Sequence, residues 1–185
     1  MPEPEIPMKE IYVQPGESHF VSQPAVLRTV LGSCVGVTFL VPRLGIGALC
    51  HPMMPSCPTA QRAQLTTRAG RRYVDFAIRE IANRLDSLGA VRGEAVVKLF
   101  GGNDVLAVGD GGSQPTIGRQ NWETARRVLE EEGFTVAACC LGGTTGVHIS
   151  FETVHGEVHL RWLDPGTSKK ARNTPRAAHR ANRRR

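Results

Sequence analysis

Residues 29–55 read TVLGSCVGVTFLVPRLGIGALCHPMMP, and this stretch decides the fold and carries the candidate chemistry. Apolar side chains alternate through a run rich in β-branched and aromatic residues. This pattern predicts a strand with Val35, Val37, Phe39 and Val41 on one face. The core of the protein should therefore form around this strand.

A second predicted strand follows over residues 45–50 and completes a hairpin. With a four-residue loop after Leu40, that residue pairs with Gly45, and Cys34 lies opposite His51. A thiol and an imidazole within hydrogen-bond reach can carry out nucleophilic attack on an acyl carbon. The hairpin register therefore makes Cys34 and His51 a candidate catalytic pair.

The rest of the chain contains two amphipathic helices and several further strands. Apolar residues at steps of three and four predict a helix over 71–88, stopped by Gly89, and a second helix begins at a capping Asn121. Further strands are predicted at 11–13, 20–21, 26–30, 95–100, 134–141, 148–151 and 157–162. This order predicts an α+β protein, a layered sandwich of mixed β-sheets with two main helices.

Length and charge distribution predict one domain with two tails. The 185 residues are 41% hydrophobic and carry a net charge of +6. Residues 165–185 hold eight Lys and Arg and no acid, leaving 15 basic and 17 acidic residues elsewhere. We therefore expect a flexible segment over 1–10, a single catalytic domain over 11–164 and a basic disordered tail over 165–185.

The same features exclude several classes of protein. The nearly neutral body gives no reason to expect specific nucleic-acid binding. No run of 18 apolar residues occurs, and the N-terminus lacks the order of a signal peptide, so we expect a cytoplasmic protein that is not embedded in a membrane. The glycine pairs match neither the dinucleotide fingerprint nor the phosphate-binding loop, and turns explain them better.

The candidate nucleophile follows a small-residue turn. Gly32 and Ser33 leave backbone N–H groups free to hold an oxyanion next to Cys34. A buried structural role is the commoner case for a lone cysteine or for a lone histidine such as His51. The pairing across the hairpin makes the catalytic and structural interpretations about equal.

Metal binding is the rival interpretation of the same residue types. The possible ligands are Cys50, His51, Cys57, Cys139 and Cys140. Structural zinc sites pair ligands two to four residues apart, and neither Cys50 with Cys57 nor the adjacent Cys139 and Cys140 has that spacing. We therefore predict no metal.

Five ordered motifs resemble the CheD family of chemoreceptor glutamine deamidases. They are LGSCVGV at 31–37, HPMMP at 51–55, KLFGGNDVL at 98–106, IGRQN at 117–121 and LGGTTG at 141–146. The resemblance spans roughly residues 11–160. Pro52, Cys50 beside the histidine and the basic tail depart from the family pattern.

The resemblance implies hydrolysis of glutamine side-chain amides in methyl-accepting chemotaxis proteins, giving glutamate and ammonia without a cofactor. It also implies a fold similar to the catalytic domain of the cytotoxic necrotising factors. Carried over by residue, Cys34 is the nucleophile, His51 the general base and then acid, and Thr29 the third catalytic residue. The alternative is a non-catalytic protein that docks on chemoreceptors or on a CheC-like regulator, and a CheC-like phosphatase is a further possible partner.

Overall fold

The computed structural model describes residues 8–105 and 115–163. Its strands are β1 Lys9–Tyr12, β2 Ser18–Val21, β3 Ala25–Leu31, β4 Val35–Val41, β5 Ile46–Cys50, β6 Val96–Gly101, β7 Val136–Leu141, β8 Val147–Glu152 and β9 Val158–Trp162. Its α-helices are α1 Thr59–Arg62, α2 Thr67–Gly70, α3 Val74–Ser87 and α4 Ile117–Glu131. The predicted basic tail and most of the predicted segment 1–10 lie outside the described residues.

The described strands form two mixed sheets. One has the order β1-β3-β8-β9, with β1 parallel to β3, and the other has the order β2-β5-β4-β6-β7, with β6 parallel to β7. The long helices α3 and α4 cover one face of the five-stranded sheet, and the four-stranded sheet covers the other. The predicted α+β sandwich with two main helices is confirmed.

The central strand β4 is buried on both faces. Val35, Val37, Phe39 and Val41 pack in the cluster under the helices, as their alternation predicts, while Leu40 packs between the two sheets. No helix within the described residues is both long and apolar enough to span a bilayer.

The predicted hairpin register is wrong by two residues. Leu40 pairs with Gly47 instead of Gly45, because the turn extends through Gly45, whose φ of 62° and hydrogen bond to Pro42 O close it. The observed register sets His51 opposite Gly36 rather than opposite Cys34. Because side-chain direction repeats every two residues, the shift leaves each side chain on its predicted face.

The predicted start of the second long helix is also wrong. Helix α4 begins at Ile117, and its cap is Thr116, whose Oγ1 accepts a hydrogen bond of 3.2 Å from Arg119 N. Asn121 therefore lies one turn inside the helix, where its side chain is free to make tertiary contacts. Helix α3 runs within the predicted range, and Gly89 follows it with a φ of 77°.

Candidate active site

A buried threonine and histidine join the two sheets. Thr29 lies on the inner face of β3, and His51 follows β5 on the facing side. Thr29 Oγ1 lies 2.7 Å from His51 Nδ1 and donates its hydrogen to Val13 O at 2.8 Å. Since the hydroxyl has only one hydrogen, His51 Nδ1 must carry the proton in the other bond. The Nε2 atom of His51 is therefore the basic one.

The basic nitrogen of His51 lies in a buried environment. His51 is 1% exposed, and within the described residues Nε2 has no hydrogen-bond partner. Burial lowers the pKa of His51 to about 4, with the Val13 carbonyl acting in the opposite direction. The imidazole is therefore neutral at pH 7 and can accept a proton.

Cys34 lies in the turn between β3 and β4 and is half-buried against the apolar cluster between the sheets. Burial raises the pKa of its thiol, and its own backbone N–H opposes that shift. Both pKa shifts favour the neutral forms. The resting pair is thus a thiol and a neutral imidazole. A cysteine whose pKa is lowered would instead rest as a thiolate beside a protonated histidine.

The backbone of the cysteine turn is held through its carbonyl groups. Gly32 O, Ser33 O and Cys34 O each accept a hydrogen bond of 2.8 Å. The donors are Asn103 N, Asn121 Nδ2 and Gly102 N, in that order. Three successive anchored carbonyls fix the turn as a rigid unit.

The amide groups of the same turn remain available. Among the described residues, the N–H groups of Gly32 and Ser33 donate to no backbone or side-chain acceptor. Free, preorganised N–H groups beside a nucleophile are what a developing oxyanion requires. These amides are the groups that the predicted oxyanion role of Gly32 and Ser33 would use, and that role stays a prediction.

Gly101 lets the end of β6 approach the cysteine turn. Its φ is 92°, and a Cβ there would lie 2.5 Å from Cys34 O. No other residue type fits at this position without displacing the backbone of Cys34.

The structure does not bring together the cysteines named above as possible ligands. Cys50 and Cys57 are buried, while Cys139 is exposed on β7, and all are free thiols. Within the described residues, the one cluster with ligand spacing is Glu152, Glu157 and His159 at the surface. An exposed acidic cluster of this kind is common without an ion.

Sequence reasoning missed two buried amides beside the site. Asn103 and Asn121 are fully buried, and each anchors a carbonyl group: Asn103 Nδ2 that of Thr145, and Asn121 Nδ2 those of Ser33 and Met53. Asn103 lies in the motif KLFGGNDVL and Asn121 in the motif IGRQN. The family resemblance gave neither residue a role, and the helix pattern assigned Asn121 only a capping role.

Comparison with known proteins decides the family. The family model described as CheD chemotactic sensory transduction matches residues 53–162. This chain belongs to the CheD family. A CheD relative from Geobacter sulfurreducens, named as a probable chemoreceptor glutamine deamidase, is 40% identical over 161 residues, which is 87% of this chain and 93% of the relative.

Other CheD relatives carry the same name. The protein of Maridesulfovibrio salexigens is 31% identical over 89% of this chain and 98% of its own, and that of Archaeoglobus fulgidus is 31% identical over 85% and 96%. Among solved structures, the hypothetical protein YfiH of Bacillus licheniformis is similar with a TM-score of 0.46 at 12% identity, covering 69% of this chain and 51% of that one.

The hydroxyl group of Thr29 should contribute more to the turnover rate than the volume of its side chain does. Thr29→Val removes the acceptor for His51 Nδ1–H and the donor to Val13 O, so the imidazole loses its fixed tautomer. We expect the turnover rate of this CheD protein to fall by about tenfold or more, as for loss of a positioned base. The measurement is the initial rate of ammonia release. Thr29→Ser keeps the hydroxyl and should retain most activity; equal rates in both variants would contradict this role.

Burial of a neutral His51 should make stability depend on pH. The unfolded chain binds a proton near pH 6.5 that the folded protein excludes until about pH 4. Stability should therefore fall as the pH drops through this window, by roughly 2 kcal/mol between pH 7 and pH 5. Urea unfolding of the parent and of His51→Ala would measure it.

The matched variant isolates this effect because His148, whose pKa burial also lowers, remains in both proteins. His51→Ala should lose most of the pH dependence. An identical slope in the two proteins would show that folding does not lower the pKa of His51.

Proposed function

We propose that this protein is a chemoreceptor glutamine deamidase that works through a Cys34 thioester. The Thr29–His51 hydrogen bond supports this most strongly, because it leaves the basic nitrogen of a neutral imidazole free in the inter-sheet space against which Cys34 packs. The names of the relatives give their substrate as a chemoreceptor glutamine, and the family resemblance implies that the receptor is a methyl-accepting chemotaxis protein. We propose that the reaction takes place in the cytoplasm, the compartment expected from the sequence.

The first step forms the thioester. His51 Nε2 takes the thiol proton as Cys34 Sγ attacks the amide carbon, and the carbonyl oxygen becomes an oxyanion. The free N–H groups of Gly32 and Ser33 stabilise that charge. His51 then gives its proton to the nitrogen, the C–N bond breaks, and ammonia leaves.

The second step hydrolyses the thioester. His51 removes a proton from a water molecule that attacks the acyl carbon, and the C–S bond breaks to restore the thiol. The product is glutamate, and this sequence requires no cofactor. Thr29 keeps Nδ1 protonated throughout, so that Nε2 exchanges the proton in both steps.

Incubation with cytoplasmic fragments of the receptors from the same cell tests the proposal. Ammonia should be released, and each modified glutamine should gain about one mass unit because NH₂ is replaced by OH. Peptide mapping locates the sites. A receptor that binds without releasing ammonia would instead support the docking protein. A CheC-like phosphatase remains a predicted partner, for which co-purification from the same cell is the test.

A further inference from the structure

The side chain of Asn121 bridges the segment that carries the cysteine and the segment that carries the histidine. Asn121 is fully buried in the second turn of α4. Its Nδ2 donates to Ser33 O at 2.8 Å and to Met53 O at 3.0 Å. Asn121 thus contacts Ser33, which precedes Cys34, and Met53, which lies two residues after His51 on the other arm of the hairpin.

The bridge lies where the backbone ladder between β4 and β5 ends. Their last strand pair is Val37 with Cys50, after which Val35 N still donates to Pro52 O at 3.3 Å. Pro52 cannot donate in return because it has no N–H. Beyond it the chains diverge, since Met53 N donates to Arg72 O instead.

Two carbonyl groups then face the same gap. Ser33 O and Met53 O are both acceptors and cannot bond each other, whereas an NH₂ group has two hydrogens and satisfies both. The reverse orientation of the amide would set Oδ1 against two carbonyl oxygens. Within the described residues Asn121 Oδ1 is buried without a partner, so both side-chain hydrogen bonds of Asn121 go to the two catalytic segments.

Helix α4 holds the bridge in place. A Cβ on Gly118 would lie 2.6 Å from Gly102 O, so the first turn of the helix rests directly on the backbone after β6. That backbone in turn anchors Cys34 O through Gly102 N. The amide of Asn121 is therefore fixed relative to the cysteine turn from two sides.

We propose that Asn121 is a positioning residue that sets the separation between Cys34 and His51. Its effect on turnover rests on the deamidase function proposed above, while its effect on the thiol does not. A displacement of about 1 Å at a reacting pair can cost on the order of a hundredfold in rate. Two hydrogen bonds across the gap oppose such a displacement.

A double-mutant cycle tests the proposal without a receptor. The proteins are the full-length parent, His51→Ala, Asn121→Ala and the double variant. Iodoacetamide alkylation of Cys34 is followed at pH 7 by peptide mass spectrometry, which separates Cys34 from the exposed Cys139. We expect His51→Ala to slow alkylation by about tenfold in the parent and by less than about threefold in the Asn121→Ala background.

Thr153→Val is the matched control for lost stability. Thr153 Oγ1 also makes two buried backbone hydrogen bonds, accepting from Ala25 N at 3.0 Å and donating to Ala25 O at 3.1 Å. They lie at the far end of β3 from the cysteine turn. In the Thr153→Val background, His51→Ala should keep its full effect.

Each other outcome overturns the proposal. The same His51→Ala effect with and without Asn121, no effect of His51→Ala in the parent, or an equal loss of coupling in Thr153→Val would each show that Asn121 does not position the pair. If Asn121→Ala does not fold, Asn121→Ser keeps one donor and should show partial coupling; full coupling there contradicts the proposal. If the parent protein leaves receptors unmodified, the deamidase function is contradicted. The alkylation rates of the double-mutant cycle can still be interpreted, because they do not depend on a receptor.

Discussion

Replacing Cys34 with alanine should abolish glutamine deamidation while leaving the fold intact. The variant removes the Sγ atom that forms the thioester in the proposed mechanism, and a half-buried Sγ contributes little volume to the core. We expect the rate of ammonia release to fall by on the order of a thousandfold or more. The urea midpoint of unfolding should change little, and receptor binding should persist.

Cys139→Ser is the control for loss of a thiol as such. Cys139 is exposed on β7, outside the inter-sheet space, so its replacement should leave the rate unchanged. If the Cys139 variant loses activity and the Cys34 variant keeps it, the nucleophile has been assigned to the wrong residue.

Replacing His51 with alanine should produce the second largest loss of activity. In the proposed mechanism, the variant removes the base that takes the thiol proton and the acid that protonates the leaving ammonia. Loss of a positioned acid and base costs roughly a hundredfold to ten-thousandfold in rate. The measurement is the turnover rate on receptor fragments. Alkylation of Cys34 at neutral pH should also slow, because the thiol loses its proton acceptor.

Two observations would count against this role of His51. Equal alkylation rates for the parent and His51→Ala would show that the two side chains are not coupled. A turnover rate that falls around pH 6.5 instead of around pH 4 would show that the working histidine is exposed to solvent, in conflict with its burial.

The local pattern of the sequence predicted the layers of the fold well. Alternation in β4 and three-to-four spacing in α3 each follow from the geometry of one element, so the buried faces can be assigned from the sequence. The hairpin register could not be predicted from the sequence, because it depends on whether the turn closes before or after Gly45.

The candidate site depends on contacts between distant segments, which the sequence does not encode locally. The role of Thr29 was predicted only from the family resemblance. Its contact with His51 joins two sheets, so no local sequence pattern indicates it. Asn121 was predicted as a helix cap because asparagine favours that position. Thr116 takes the cap instead, and only the tertiary structure shows what Asn121 contacts. The low pKa of His51 likewise comes from burial by residues far along the chain.

Deamidation in heavy-oxygen water (H₂¹⁸O) tests the central claim most directly. Receptor fragments are incubated with the parent or with Cys34→Ala, and their peptides are mapped by mass. Hydrolysis at Cys34 predicts glutamine converted to glutamate with one heavy oxygen, a gain of about three mass units per site, with the parent alone. Receptor peptides left unchanged by the parent, or converted equally by Cys34→Ala, would contradict it.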